Sequence, residues 1–144
     1  MISVRKATTK DIDNIVKFLS SIGFKDKNIY THNDYFVYYD NDVLLGCGMA
    51  FAVEEFCIID NILVDEANRR NKIGTAIAKT ILNYYERNGI RIAISYGHCD
   101  AFCKSLGFDL WTDKELPDSI KHALKNDYNQ IYVVNLEGYF KGCC

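Results

Sequence analysis

The stretch Phe56-Cys-Ile-Ile-Asp-Asn-Ile-Leu-Val-Asp-Glu-Ala-Asn-Arg-Arg-Asn-Lys-Ile-Gly-Thr-Ala-Ile-Ala-Lys79 changes character twice within a few residues. Phe56 to Val64 is an apolar, β-branched run interrupted only by Asp60-Asn61, which predicts a strand buried on both faces with a polar notch. Asp65 to Lys72 is polar and partly basic. From Ile73 onward apolar residues recur at Ile73, Ile77, Thr80-Ile81 and Tyr84, the spacing of a helix. A buried strand therefore feeds a basic loop, and the loop opens a helix with Gly74 at its start.

That arrangement suits an anion. The first turn of a helix carries backbone N–H groups without intrahelical partners, at the positive end of the helix dipole. An anion there is stabilised with no side chain reaching it. Gly74 leaves the backbone bare, and Arg69, Arg70 and Lys72 add positive charge. A pyrophosphate-type ligand fits these features. A solvated basic loop that merely begins a helix fits them too.

Outward from this unit, Ile2 to Ala7 alternates as an opening strand, and Thr8-Thr9-Lys10-Asp11 supplies a helix start. Ile12, Ile15, Val16, Leu19 and Ile22 share one helical face, and Gly23 stops the helix. Phe24 to Asn33 is polar and irregular. Tyr35 to Tyr39, a turn at Asp40-Asn41-Asp42, and Val43 to Phe51 predict a hairpin. With the turn at Glu54-Glu55 and the central strand, these form an antiparallel meander. Beyond the main helix, Arg87-Asn88-Gly89 stops it and Ile90 to Ser95 is the next strand. A strand–helix–strand crossover of this kind makes its two strands parallel. A short helix from Asp100 to Leu106 ends at Gly107. Phe108 to Trp111, a polar helix over Leu116 to Lys125 begun by Pro117, and a strand over Gln130 to Leu136 complete the chain. The tail from Glu137 to Cys144 has no clear pattern.

The chain has 144 residues, 49% hydrophobic and 25% charged, enough for one core and typical of a globular domain. We therefore read residues 1–144 as a single domain. The fold class is α/β: three α/β/α layers around a mixed, mostly antiparallel sheet with one parallel strand pair. A net charge of −2 disfavours nucleic acid as a partner. No apolar run approaches the ~18 residues of a membrane span, and the N-terminus lacks a signal peptide's apolar region. The expected location is the cytoplasm, with the six cysteines reduced. Cys47 and Cys57 fall in apolar strand patterns. His98, Cys99 and Cys103 make only a weak metal set, so no metal is expected.

The central segment resembles the acyl-CoA-binding motif of the GNAT superfamily of N-acyltransferases, Arg/Gln-x-x-Gly-x-Gly/Ala after a strand ending apolar-x-Val. Arg69-Arg70-Asn71-Lys72-Ile73-Gly74, then Thr75-Ala76, stand in that place after Ile62-Leu63-Val64. Ala101-Phe-Cys-Lys-Ser-Leu-Gly-Phe108 is similar to the family's Ala-Leu-Tyr-Glu-Lys-Leu-Gly-Phe element. Order, spacing and length agree from end to end. Lys72 replaces the usual first glycine. That matters only where the position needs a positive φ or a bare backbone; a helix start is compatible with an L-residue whose ammonium meets a phosphate.

The resemblance implies acetyl transfer from acetyl-CoA, the co-substrate, to a primary amine on a small molecule or peptide. It implies that the amides from Arg70 to Thr75, with Arg69, hold the CoA pyrophosphate. It also implies that a backbone N–H on the strand polarises the thioester where that strand splays from its parallel neighbour, at Ile62, Leu63 and Val64. The region after the first helix forms a wall of the acceptor site in the family, and homodimers are common among relatives.

Proton transfer needs a base and an acid. Asp60 shares strand parity with Ile62 and Val64, making it the leading base, directly or through water; a carboxylate that only orders the loop is the competing reading. Glu54 and Glu55 are further candidates, or simply solvated turn charges. Cys103 stands at the family's tyrosine position, and a thiol (pKa ~8.5 against ~10) can donate a proton, though its reach is shorter. Tyr96 or Ser95 on the adjacent strand is a second option, and an unassisted thiolate leaving group a third. A covalent acetyl-Cys103 activated by His98 is a fourth. Tyr84 and Tyr85 read as packing residues. The strand Tyr35, Phe36, Tyr38 and Tyr39 has one core face and another available to an acceptor. Two different functions stay open: an acyl-CoA-binding module without turnover, and a thiol or metal sensor built on Cys99, Cys103 and Cys143-Cys144.

Overall fold

The computed structural model describes residues 1–24, 34–69, 71–96, 99–111, 117–124 and 130–140, with Tyr96 described by its backbone. The strands are β1 (Ile2–Lys6), β2 (Asp34–Asp40), β3 (Val43–Val53), β4 (Phe56–Val64), β5 (Ile92–Tyr96), β6 (Asp109–Leu110) and β7 (Ile131–Asn135). The helices are α1 (Ile12–Ser21), α2 (Ile73–Arg87), α3 (Asp100–Ser105) and α4 (Asp118–Ala123). All seven strands join one sheet in the order β1-β2-β3-β4-β5-β7-β6. Every neighbouring pair is antiparallel except β4 and β5, which are joined through α2 and run parallel. The expected three-layer fold with one parallel pair is the fold observed.

Alternation along β3 assigns the layers. Cys47 and Met49 pack with α1, and Phe51 and Val53 continue that face toward α4. Gly46, Gly48 and Ala50 face α2 instead. The two glycines let the helix settle against the strand. A Cβ on Gly48 would lie 2.5 Å from Ile77 Cγ2, and one on Gly46 would lie 2.9 Å from Ile77 Cδ1. Ile73, Ile77 and Ile81 fill that contact and are fully buried or nearly so.

Two helical faces differ from the expected ones. In α1 the buried stripe is Ile15, Phe18 and Leu19, whereas Val16 and Ile22 are exposed. The helix is turned toward Phe18 because its ring removes more apolar surface from water than Val16 could. In α2 the last buried residue is Tyr85, whose hydroxyl donates to Asp34 Oδ2 at 2.6 Å. Tyr84 is partly buried beside it, and both are packing residues as expected. The aromatic strand is a further correction, since both of its faces are covered. Phe36 lies under α2 while Tyr35, Val37 and Tyr39 lie under α1, so β2 leaves no free aromatic face for an acceptor.

The start of α1 is anchored by a buried carboxylate. Asp11 receives both Arg5 nitrogens at 2.7 and 3.0 Å, the Thr8 N–H at 2.8 Å and the Tyr39 hydroxyl at 3.0 Å. The Arg5 guanidinium, then the Thr8 and Tyr39 donors, hold its carboxyl well below the usual range against the opposing effect of burial. Helix α4 is shorter than expected, with Pro117 just before its first residue. The tail residues Glu137 to Phe140 form a turn, and Tyr139 donates to the Leu106 carbonyl. Residues 25–33 and Cys143-Cys144 lie outside the described residues.

Candidate active site

The polar notch in the central strand is a β-bulge. Met49 pairs with Asn61 and Ala50 with Ile59, so Asp60 is the extra residue at a shift in the β3–β4 register. The bulge resets the alternation: Ile59 and Ile62, an odd number apart, both pack on the α2 side. Parity across this point therefore does not aim the Asp60 side chain, which corrects the basis on which it was grouped with Ile62 and Val64.

The same residue marks where β4 leaves its parallel neighbour. Pairing with β5 runs from Phe56↔Ile92 to Ile59↔Ser95 and ends there. From Asp60 to Val64 the edge of β4 toward β5 carries no ladder among the described residues. Backbone phase follows from one bond, the Asp65 N–H to the Leu45 carbonyl at 2.8 Å. Antiparallel bonding alternates. Leu63 and Asn61 thus also turn their amides to β3, and Ile62 and Val64 turn theirs into the gap.

The gap is one end of a groove of about 730 Å³. Ile62, Leu63 and Val64 form its β4 wall, and Arg69, Lys72, Gly74 and Thr75 its α2 end. Cys99 and Phe102 line it at α3, and Ile22, Gly23 and Phe24 where α1 ends. The α1 end lies near the region expected to border the acceptor. Cys99 and Phe102 escaped the sequence reading as groove residues. Phe102 is read from the sequence only as part of the segment similar to the family's Ala-Leu-Tyr-Glu-Lys-Leu-Gly-Phe element, and Cys99 only as a thiol and weak metal ligand.

At the helix end, the first intrahelical bond is Ala76 N–H to the Lys72 carbonyl at 3.1 Å. The N–H groups of Ile73, Gly74 and Thr75 thus have no intrahelical partner, no side chain caps the helix, and its first turn holds no acidic residue. Lys72, the residue before the helix, has φ +58° and ψ 26°, a left-handed conformation. The position does need a positive φ, so lysine carries a backbone cost there of about 1–2 kcal/mol that glycine would not. Gly74 forms part of the floor. A Cβ on it would meet Ile62 Cγ2 at 3.7 Å, Phe102 Cε1 at 3.8 Å and Val64 Cγ2 at 3.8 Å, ordinary contacts that occupy groove space. Arg69 Nε reaches the Val64 carbonyl at 3.5 Å, and the Asn71 N–H bonds the Asn68 carbonyl at 3.2 Å. Arg70 lies outside the described residues.

Among the described residues, Asp60, Cys103, Glu54 and Glu55 are not in the groove lining. Asp60 is half-buried at the bulge. Cys103 is 1% exposed within the main core, with its Sγ 3.6 Å from Ser95 Oγ. Burial pushes its thiol up, with the Ser95 contact opposing. Tyr96 ends β5, paired to Ile131; its side chain and His98 lie outside the described residues. Glu54 and Glu55 sit exposed in the β3–β4 turn, beyond the N-terminal end of β4 and so far from the gap. Among the described residues no group of three or more His, Cys, Asp or Glu side chains is placed to hold a metal ion. No described helix is long and apolar enough to cross a membrane. Cys47, Cys57, Cys99 and Cys103 are not joined in disulfides, and of these four Cys99 is exposed and the others buried.

A family profile described as "Acetyltransferase (GNAT) family" matches residues 8–108. The chain belongs to the GNAT family of acetyltransferases. No curated protein sequence matches it significantly. Among solved structures, a GNAT-family acetyltransferase from Staphylococcus aureus Mu50 aligns with TM-score 0.75 at 17% identity, covering 94% of this chain and 99% of that one. Arabidopsis thaliana NAA60, in complex with acetyl-CoA, aligns with TM-score 0.70 at 13% identity over 96% and 100%. The N-acetylglutamate synthase of Neisseria gonorrhoeae, complexed with coenzyme A and N-acetyl-glutamate, gives 0.70 at 18% over 94% of this GNAT chain and 35% of that protein. At these identities the likeness is one of fold.

Proposed function

We propose that the protein is an acetyl-CoA-dependent N-acetyltransferase that passes the acetyl group directly to a primary amine in a ternary complex. The observation that carries this is the gap at Asp60–Val64, continuous with the uncapped start of α2. Arg69, Arg70, Asn71, Lys72, Ile73, Gly74 and Thr75 hold the donor's pyrophosphate, chiefly through main-chain amides. Its thioester arm lies along Ile62, Leu63 and Val64. The carbonyl oxygen accepts a hydrogen bond from an N–H of Ile62 or Val64, and that bond strengthens as the oxygen gains charge.

The amine nitrogen attacks the carbonyl carbon, and the tetrahedral adduct expels the CoA thiolate. The ammonium's first proton leaves to water or to Asp60 at the bulge. The burial of Cys103 and its raised pKa weigh against it as the acid, leaving Tyr96 or water to protonate the thiolate. The acceptor is a small molecule or peptide amine entering from the end of α1. On this reading the protein works in the reducing cytoplasm, where thiols stay unpaired by disulfides, and a homodimer is compatible with it.

A second reading, an acyl-CoA-binding module without turnover, draws on the buried Cys103 where relatives carry a tyrosine. Release of free CoA thiol from acetyl-CoA, measured across a panel of primary amines, separates the two. Amine-dependent release is expected. Tight binding with no release on any amine would leave the module.

A further inference from the structure

The groove wall facing β4 is the beginning of α3, where Cys99 and Phe102 lie. This helix has six residues and no side chain caps its start. A helix so short does not hold itself in water, so contacts outside it must fix where it begins.

Two side chains from the sheet do this. Ser95 of β5 and Tyr132 of β7 are register partners, and both reach α3. Ser95 Oγ lies 3.6 Å from Cys103 Sγ. The Tyr132 hydroxyl donates to Asp100 Oδ1 at 2.6 Å, with Gln130 Oε1 2.9 Å from the same hydroxyl. The ring of Tyr132 is fully buried, so its hydroxyl is a fixed point of the sheet. Lys104 Nζ holds the other carboxylate oxygen at 3.2 Å from within the helix. Asp100 follows Cys99 directly, so the bond that fixes one fixes the other.

We infer that Tyr132, acting through Asp100, is a positioning residue for the acyl donor: the hydroxyl–carboxylate bond sets α3 so that Cys99 and Phe102 face β4 across the width of the thioester arm. This rests on the acyl-CoA reading. It also separates the two ends of the donor. The pyrophosphate end depends on the amides at the start of α2, while the arm depends on the α3 wall that the hydroxyl–carboxylate bond holds.

The test is calorimetric titration of the full chain and of Tyr132→Phe and Asp100→Ala. Each is titrated with coenzyme A and, by displacement, with ADP, which has a pyrophosphate and no pantetheine arm. Tyr132→Phe keeps the buried ring. Asp100→Ala changes an exposed side chain and so keeps the test open should the first variant fold poorly. Both variants are expected to lose about three- to tenfold in affinity for coenzyme A and to hold ADP within about twofold. Unchanged affinity for coenzyme A overturns the inference. So does an equal loss for both ligands, which reports a general loss of structure rather than a displaced wall. A wild-type protein that binds neither ligand brings down the acyl-CoA reading itself, an outcome distinct from the other two.

Discussion

Gly74 shows how one missing Cβ carries both a cost and a use. In the first turn of α2, glycine lowers helix stability relative to alanine. The space beside it can take a methyl group without a clash, so packing does not demand glycine here. Under the proposed function the demand comes from the ligand. Gly74→Ala should keep or slightly raise stability in urea, by up to ~0.5 kcal/mol, while affinity for coenzyme A falls by about tenfold. Melting and calorimetry on one sample check both halves, and undiminished binding would remove Gly74 from the site. Other residues were less legible. The sequence showed Lys72 as a departure from the motif, but its φ of +58° depends on how Asn68 to Lys72 turn into the helix, which composition does not encode. Cys103 likewise matched the tyrosine position in register, while its burial depends on Ser95 from another element.

At the level of elements, periodicity located the strands and helices because each must bury one stripe or face. It failed where two stripes were available. Ile12, Ile15, Val16, Leu19 and Ile22 make as regular a face as Ile15, Phe18 and Leu19, and only the sheet beneath decides between them. The bulge at Asp60 was visible as a polar notch but not as an extra residue, because its count is set by pairing with β3. The tie between β1 and α1 through Asp11 yields a prediction with a sign. Folding lowers the pKa of Asp11 below its unfolded value, chiefly through Arg5. Between the two values the unfolded chain binds more protons, so the contribution is full above the unfolded pKa of ~3.9 and fades as pH falls through it toward the folded value. Urea midpoints from pH 7 to pH 3 should therefore drop more steeply for wild type than for Asp11→Asn. The variant itself should be about 1–3 kcal/mol less stable at pH 7. Parallel pH profiles would show that Asp11 is not a source of the acid sensitivity.

For the molecule as a whole, the order of elements and the single parallel pair were readable from the crossover at α2. The acceptor was not: nothing in residue spacing distinguishes one amine from another. Donor binding should be visible globally. A ligand present at a hundred times its dissociation constant adds about 2.7 kcal/mol to the folded state, roughly 5–10 °C in melting temperature for a domain of this size. Coenzyme A should produce such a shift and pantetheine, which lacks the pyrophosphate, much less. An equal shift with both would mean that the start of α2 is not where the anion sits.

The groups turned into the gap at positions 62 and 64 belong to the peptide chain itself, and no codon change short of proline deletes them. A saturation survey of these positions would therefore score them as permissive to any apolar replacement that still packs, with proline the outlier. The role of such a centre would surface only through peptide-bond chemistry, by replacing one amide with an ester and watching the donated hydrogen disappear.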